Sequence, residues 1–166
     1  MSGVCETLIG RGVPSVTLGE VCQERVVGVN PRQEMSIGRH VVVGMPGAHT
    51  PVCSTRHLPN IVENSSKMLR SGIRSIVCVV TSNPFSTAAW GREFDTDGRI
   101  RFLSDGNLEF ARALGLVRRE PRFFLGERSE RYILRVNSGI IEEAKVEDSI
   151  FDVNCTRAED IVELIV

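Results

Sequence analysis

The sequence has no apolar run of the ~20 residues that a membrane-spanning helix requires. It also has no excess of basic residues, since the formal net charge is −1 and the pI is near 6.3. Nucleic acids and anionic membranes both favour basic surfaces, so we expect neither as a partner. The chain does not open with a basic-then-apolar secretion signal. We therefore expect a cytoplasmic protein, or one of an organelle such as the mitochondrion if a targeting segment precedes this sequence.

The cysteines lack the spacing of a disulfide framework, because their number is odd and their separations are wide and irregular. They are Cys5, Cys22, Cys53, Cys78 and Cys155. No two of them form a CxxC pair, which argues against a structural zinc site and against a CxxC-type oxidoreductase. Scattered thiols in an intracellular chain more often include one reactive thiol than several structural crosslinks.

The chain does have the composition of an ordinary globular protein, with 166 residues, 42% of them hydrophobic and 25% charged. We expect one domain over residues 1–166 and find no internal repeat or low-complexity segment. Apolar runs and helical periodicity alternate along the chain, which indicates the α/β class. The predicted strands are 16–18, 40–45, 75–81, 100–103, 130–136 and 140–146. The predicted helices are 53–70, 84–94, 108–114 and a final one directly after Cys155.

Several helix ends carry specific signals. Pro59 lies inside the first long helix and predicts a kink there, or a later helix start. Asn83, followed by proline, predicts an N-cap for the next helix, and Asn107 is expected to cap the third. Thr156 and Glu159 have the spacing of a capping box, which predicts the final helix.

One thiol lies at a strand-to-helix corner in the run MPGAHTPVCSTRHLP, where a helix begins near Cys53. Unpaired N–H groups and the helix dipole at such a position favour the thiolate, which is the nucleophilic form. Thr50 can place a hydroxyl beside the sulfur, while Pro46 and Pro51 fix the turn and limit water. The alternative is a small, half-buried and inert cysteine, which is common for free cysteines.

The same run resembles the active-site signature of the peroxiredoxins, and most of all their type II, peroxiredoxin-five-like branch, whose usual form is PGAFTPTCS followed by HLP. Other motifs resemble that branch in the same order: VCV at 77–79, NPF at 83–85, AWG at 89–91, LSDGNLEF at 103–110, ALGL at 113–116 and RSERY at 128–132. The resemblance spans roughly residues 14–164. It implies a thioredoxin-like fold, with helices flanking a central mixed β-sheet.

The resemblance also implies a thiol-dependent peroxidase that reduces hydrogen peroxide and alkyl hydroperoxides and uses no metal or organic cofactor. By matching position, Cys53 is implied to be the peroxidatic cysteine, which becomes a sulfenic acid. The implied peroxide-binding and shielding residues are Gly47, Thr50, Arg131 and Pro46. A guanidinium near the sulfur would stabilise charge as it moves to the leaving oxygen. Arg128 ranks behind Arg131, and the alternative for Arg131 is a solvated surface arginine.

The sulfenic acid must then be resolved. In the two-cysteine subgroup a second thiol before the last helix does this, and Cys155 holds the corresponding place. The resemblance therefore implies an intrachain disulfide between Cys53 and Cys155, reduced by a thioredoxin- or glutaredoxin-type protein. The loop around Cys155 is expected to be free to move. A one-cysteine cycle with an external thiol is the alternative, and we expect a homodimer or a monomer.

Other features are assigned lesser roles. Cys78 is expected to pack in the core, whereas Cys5 and Cys22 are expected to be incidental. His49 replaces the usual Phe and is expected to be a partly exposed substitute, or else a pH-sensitive charge near Cys53. The segment 118–126 is expected to be a solvated loop with packed Phe side chains, the alternative being a substrate- or partner-facing loop.

Two other functions use the same sequence features. A peroxide-sensing redox relay would oxidise Cys53 and pass the oxidation to a partner protein. A non-catalytic thioredoxin-fold interaction module would not use the thiol at all.

Overall fold

The computed structural model describes residues 2–164, apart from the side chain of Ser2. The strands of its main sheet are β1 (Leu18–Cys22), β2 (Arg25–Val29), β3 (Arg39–Met45), β4 (Ile73–Val80), β5 (Ile100–Ser104), β8 (Tyr132–Asn137) and β9 (Ile140–Val146). Their order across this seven-stranded sheet is β2-β1-β5-β4-β3-β8-β9. Strands β3, β4 and β5 are parallel and the remaining pairs are antiparallel.

Helices lie on both faces of this sheet, and a small hairpin projects from it. The helices are α1 (Ser2–Leu8), α2 (Pro31–Glu34), α3 (Leu58–Arg70), α4 (Pro84–Phe94) and α5 (Glu109–Leu114). The hairpin consists of β6 (Val117–Glu120) and β7 (Gly126–Ser129), which form a separate two-stranded sheet. The predicted mixed α/β architecture is confirmed. No helix within residues 2–164 is long and apolar enough to span a bilayer.

The central strand β3 explains why its sequence is apolar at nearly every position. Alternate residues of a strand point to opposite faces, and both faces of this one are covered. Val41 and Val43 pack into the core that contains α3 and Cys53, whereas Val42 packs into the opposite core. Gly44 lies directly under the ring of Tyr132 on β8, so a Cβ atom there would overlap the ring. This close approach holds β8 tightly beside β3.

Asn83 and Asn107 were both predicted to cap helices, and the structure confirms the first prediction and contradicts the second. The Asn83 side-chain oxygen accepts a hydrogen bond from the N–H of Ser86 at 2.8 Å, which confirms the N-cap of α4. The prediction that Asn107 caps the third helix is wrong. The carboxylate of Asp105 does so, accepting from the N–H groups of Phe110 and Ala111 at 3.0 and 2.9 Å. A carboxylate can receive both bonds at once, one on each oxygen.

The helix that carries Cys53 is distorted before Pro59. It begins at Pro51, widens into a π-helical segment over Cys53–His57 and continues as α3. The N–H of Leu58 therefore bonds to the carbonyl of Cys53, five residues back. Proline has no N–H to donate, and the wider turn adjusts the backbone just before it. The predicted kink thus takes the form of a π bulge that starts at Cys53.

The predicted final helix is wrong for the residues described. Only a short 3₁₀ turn, Ala158–Asp160, follows Cys155, and Ile165 lies outside the described residues. The Thr156 hydroxyl does not cap it, because it donates to Glu147 at 2.9 Å. The cap lies one residue later, where Asp160 accepts from the N–H of Arg157 at 2.9 Å.

The sequence interpretation also missed helix α1 and two hairpins. The strand predicted at 16–18 begins at Leu18 and pairs with β2, an edge strand whose side chains are mostly exposed and therefore lack a buried alternation. The segment 118–126 forms most of the β6–β7 hairpin and is not an irregular loop, and its Phe123 ring contacts the ring of Phe151. At its tip, Phe123 is 70% and Phe124 100% exposed.

Candidate active site

Cys53 lies in the first turns of its helix and is 1% exposed. Its sulfur accepts a hydrogen bond from Nη2 of Arg131 at 3.3 Å. Strand β8 runs antiparallel to β3, with Tyr132 opposite Gly44. The residue before β8 therefore lies beside the end of β3, from which the turn leads to Cys53. Arg131 and Ile133 are two residues apart, so they point to the face that holds Cys53.

The guanidinium of Arg131 is fixed in place. Its Nε and Nη2 donate to the carbonyl of Ile150 at 3.1 and 2.7 Å, and its Nη1 contacts Nδ1 of His57 at 2.8 Å. Arg131 is 1% exposed, so the alternative of a solvated surface arginine is wrong. None of its acceptors within residues 2–164 is a carboxylate. A full positive charge therefore faces the sulfur.

His57 serves as the neutral support of Arg131. Its Nε2 lies 2.8 Å from the carbonyl of Thr156, which can only accept, so Nε2 carries the proton and Nδ1 accepts from Arg131. Burial, together with the charge of Arg131, lowers the pKa of His57 to about 3. The sequence interpretation quoted His57 within the HLP motif but gave it no role. Its position four residues after Cys53, one helical turn on, was the available signal.

A mostly apolar cavity of about 530 Å³ lies beside Arg131. It is lined by Pro46, His49, Thr50, Pro51, Val52, Phe123, Leu125, Arg131, Ile150 and Phe151. Three of the predicted site residues, Pro46, Thr50 and Arg131, therefore share one cavity. The tip of the β6–β7 hairpin forms one wall, which corresponds to the substrate-facing alternative considered for segment 118–126.

Thr50 and Gly47 form a small unit at the cavity wall. The Thr50 hydroxyl donates to the carbonyl of Gly47 at 2.8 Å. A Cβ atom on Gly47 would lie 2.9 Å from the Thr50 methyl group, so glycine allows this close approach. Because its only proton is committed to Gly47, the Thr50 oxygen presents lone pairs elsewhere and can accept from an incoming O–H group. Gly47 thus lies behind Thr50 and is not itself among the lining residues.

Arg128 does not face the sulfur. Its Nε donates to the carbonyl of Leu125 at 2.6 Å, and its Nη1 donates to the carbonyls of Thr81 and Pro46 at 2.7 and 3.4 Å. It therefore ties the base of the β6–β7 hairpin to the turn before Cys53. His49 is exposed in the left-handed region at φ 59° and borders the cavity.

Cys78 is fully buried in the middle of β4, opposite Val43, as predicted for a core residue. Burial is the main reason why its pKa is raised well above the usual range, and the charge of Cys53 adds to this effect. A thiol that resists ionisation in this way is a poor nucleophile.

Cys155 is held in a different environment. Its thiol points towards the carbonyl of Val146 at 3.6 Å. One oxygen of Glu147 accepts from the N–H groups of Asn154 and Cys155 and from the hydroxyl of Thr156, at 2.7, 2.8 and 2.9 Å. In this conformation the loop at 154–156 is thus held by Glu147. Burial and the neighbouring Glu147 raise the pKa of Cys155 to about 11.

Comparisons with known proteins agree with this geometry. A family model described as Redoxin matches residues 9–161. Peroxiredoxin-2F, mitochondrial, from Arabidopsis thaliana is 34% identical over 133 residues, covering 80% of this chain and 66% of that longer protein. A peroxiredoxin from Synechocystis sp. is 34% identical over 152 residues, covering 86% of this chain and 79% of its own length.

Solved structures give the same result. Reduced Prx3 from Vibrio vulnificus in complex with hydrogen peroxide has a TM-score of 0.84 at 29% identity, covering 92% of this chain and 94% of its own. Peroxiredoxin 5 from Alvinella pompejana has a TM-score of 0.75 at 26% identity, covering 86% and 90%. These likenesses confirm the thioredoxin-like fold. The chain therefore belongs to the Redoxin family and, within it, to the peroxiredoxins, which are thiol peroxidases.

Proposed function

We propose that this chain reduces hydroperoxides through Cys53, which is oxidised to a sulfenic acid. The observation that carries the proposal is the hydrogen bond of 3.3 Å to the Cys53 sulfur from Arg131, a residue that also lines the apolar cavity. The Arg131 guanidinium is bound by a backbone carbonyl and a neutral histidine, neither of which neutralises its positive charge. That charge can therefore act on the sulfur and on the peroxide. Preorganised charge of this kind stabilises a transition state without reorganising during the reaction.

The Cys53 thiolate attacks the terminal oxygen of the hydroperoxide in the first step. A sulfur–oxygen bond forms, the O–O bond breaks, and the leaving oxygen takes a proton to give an alcohol or water. Negative charge moves from sulfur to the leaving oxygen, and Arg131 is placed to follow it. The Thr50 oxygen accepts a hydrogen bond from the hydroperoxide O–H and so aligns the O–O bond with the sulfur. Pro46 covers the turn and limits the access of water.

The substrates we propose are hydrogen peroxide and alkyl hydroperoxides. The largely apolar lining of the cavity supports the second class, because an alkyl group placed there leaves water for apolar walls. Only the two oxygens of the substrate then need polar partners, which Thr50 and Arg131 supply. Hydrogen peroxide has no alkyl group, so it would bind to Thr50 and Arg131 without contacting the apolar walls of the cavity.

For the second step we propose that Cys155 resolves the sulfenic acid. Its thiol displaces the sulfenic oxygen as water, and an intrachain Cys53–Cys155 disulfide forms. The hydrogen bonds from His57 to Thr156 and from the N–H of Ala158 to Asn60 support this, since they hold the Cys155 segment against the Cys53 helix. We propose that the π bulge and the Glu147-bound loop open to bring the two Cα atoms within the distance of about 7 Å that a disulfide needs.

We further propose that a thioredoxin- or glutaredoxin-type protein reduces the disulfide, and that the chain works as a homodimer or a monomer. Two similar proteins are named mitochondrial and chloroplastic. We accordingly propose the cytoplasm or such an organelle as the compartment.

Peroxide consumption by Cys53→Ser tests the first step. The variant should lose consumption of both substrates in the presence of a thioredoxin system, while Cys22→Ser, which changes an exposed cysteine, should match the wild type. An active Cys53→Ser variant would overturn the peroxidase role of Cys53. Mass mapping after peroxide treatment tests the second step. Stable sulfenic or sulfinic Cys53 without a link to Cys155 would replace the two-cysteine cycle with a one-cysteine cycle.

A further inference from the structure

A second thiol, that of Cys5, shares a surface cavity with Cys155, and this cavity has no lining residue in common with the apolar cavity beside Arg131. Cys5 and Cys155 both line one surface cavity of about 540 Å³, together with residues of β9. Both thiols are half-buried and free. Cys5 is also among the groups that raise the pKa of Cys155, after burial and Glu147. The expectation that Cys5 is incidental therefore does not fit its position.

Helix α1 holds Cys5 in this place. Its last residue, Leu8, is fully buried in the same core cluster as Val146, and Cys5 packs against that cluster. Directly after the helix, the N–H of Gly10 donates to the carbonyl of Ile141 at 2.8 Å, and Arg11 accepts from Ile141 at 2.9 Å. The helix is thus fastened along β9, at whose end the Cys155 thiol contacts Val146.

We infer that Cys5 and Cys155 form a second redox pair, which takes over the disulfide from Cys53 by thiol–disulfide exchange. This inference rests on the proposed function, since the Cys53–Cys155 disulfide is the species that Cys5 attacks. The hydroperoxide is the only oxidant in the sequence of steps. Cys155 is the resolving thiol first and the shared partner afterwards.

The exchange balances in atoms and electrons. The Cys5 thiolate attacks the sulfur of Cys155, the Cys5–Cys155 bond forms, the Cys53–Cys155 bond breaks, and Cys53 leaves as a thiolate. Exchange is faster when the leaving thiolate is stabilised, and Arg131 is placed to stabilise Cys53 in this way. In the proposed cycle, release of Cys53 also lets the π bulge and the His57–Thr156 contact form again.

The exchange would place peroxide reduction and disulfide reduction at two different cavities. A Cys5–Cys155 disulfide lies at a surface cavity, where a reductant protein can reach it without entering the apolar cavity. Cys53 is meanwhile a free thiolate and can meet the next hydroperoxide. Peroxide binding and disulfide reduction would thus occur at different places on the chain.

Time-resolved mass mapping tests the inference. The reduced wild type, Cys5→Ser, Cys53→Ser and the control Cys22→Ser receive one equivalent of hydrogen peroxide, and are quenched with acid at intervals, alkylated and digested without reductant. In the wild type and Cys22→Ser, the Cys53–Cys155 peptide should form first and then decline, as the Cys5–Cys155 peptide becomes the majority species and Cys53 regains alkylation. In Cys5→Ser, the Cys53–Cys155 peptide should persist and most of the alkylatable Cys53 should be lost.

The outcomes separate the inference from the proposed function. If the wild type keeps only the Cys53–Cys155 link, as Cys5→Ser does, the exchange is overturned while the two-cysteine cycle stands. Equal Cys5–Cys155 formation in Cys53→Ser would overturn the exchange as well, because the pair would then be oxidised directly. If neither disulfide forms and Cys53 stays sulfenic, both the resolving role of Cys155 and the exchange fail. The peroxidase role of Cys53 would still be judged by peroxide consumption alone.

Discussion

The surroundings of Cys53 and Cys155 differ in almost every respect. Cys53 is buried and faces the guanidinium of Arg131, which lines an apolar cavity. Cys155 is half-buried, lies against the carboxylate of Glu147 and borders a cavity with several acidic side chains. Positive charge favours a thiolate, whereas burial beside negative charge favours the thiol. The same fold thus places a guanidinium beside one cysteine and a carboxylate beside the other.

This contrast leads to a different expectation for each of the two thiols. The Cys53 sulfur is bound by a guanidinium that His57 and the carbonyl of Ile150 hold in place. Cys155 needs to leave the hydrogen bonds of Glu147 before it can act. Changes to either set of partners should therefore affect one thiol and spare the other.

The largest effect is expected from Arg131→Gln, which removes the positive charge from Cys53. We expect the rate of Cys53 oxidation by hydrogen peroxide to fall by about 10²–10³-fold, the usual cost of removing one preorganised donor. Stopped-flow measurement of a single turnover reports this rate. Arg112→Gln, which removes an exposed guanidinium from α5, is the matched control. Equal rates in the two variants would contradict the role proposed for Arg131, and Arg131→Lys should recover part of the loss.

The next effect is a pH dependence of stability that comes from His57. Its pKa is about 3 in the folded chain, against 6.5 for an unperturbed histidine. Between these values the unfolded chain binds a proton that the folded chain does not, so the stability should fall as the pH drops from 6.5 towards 3. The contribution is at most about 1.4 kcal/mol per pH unit.

Urea unfolding at a series of pH values measures this slope. His57→Gln should lower the stability at neutral pH but show a shallower slope in the acid range, because it has no proton to bind. His49→Gln, at an exposed histidine, should keep the wild-type slope. If His57→Gln kept the full slope as well, His57 would not be the buried neutral group that supports Arg131.

Much of the structure around Cys53 could be predicted from the local sequence. The corner at Pro46–Cys53 and the N-cap Asn83 depend on neighbouring residues, and their physical signals lie within a few positions. The place of Arg131 near the sulfur was predicted from the resemblance, and the register of β8 against β3 explains it. The shift of the cap from Asn107 to Asp105 shows the limit, since both residues are good caps and only the backbone path selects one.

The Cys155 side could not be predicted, because its contacts join distant parts of the chain. Glu147 binds the loop at 154–156, His57 reaches Thr156 across 99 positions, and Cys5 arrives on a helix with no strong sequence signal. The capping-box pattern at Thr156 was misleading, because a buried carboxylate competed successfully for the hydroxyl. Long-range polar contacts of this kind leave no periodic trace in a single sequence.

A smaller effect is expected from Glu147→Gln, which removes the charge beside Cys155 and keeps an oxygen for its three donors. The pKa of Cys155, now about 11, should move towards its usual range, although burial remains its largest cause. We expect alkylation of Cys155 by iodoacetamide at pH 8.5 to rise by about fivefold, since reactivity follows the thiolate fraction. Peptide mass spectrometry measures it against Glu143→Gln, which changes another carboxylate of the same cavity. An unchanged rate would indicate that burial alone protects Cys155.

The smallest effect is expected from Phe123→Ala, which acts only on the apolar entrance to Cys53. The Phe123 ring packs edge-on against Phe151 at 5.7 Å, and both line the cavity, whereas Phe124 is fully exposed outside it. Partial loss of one apolar wall should cost about as much as one buried CH₂, about 0.8 kcal/mol, or about fourfold in kcat/KM. The loss should appear with cumene hydroperoxide and be absent with hydrogen peroxide, which has no alkyl group to place there. Phe124→Ala should match the wild type with both substrates. Equal losses for the two peroxides would mean that the hairpin tip shapes the Cys53 site itself and does not bind the alkyl group.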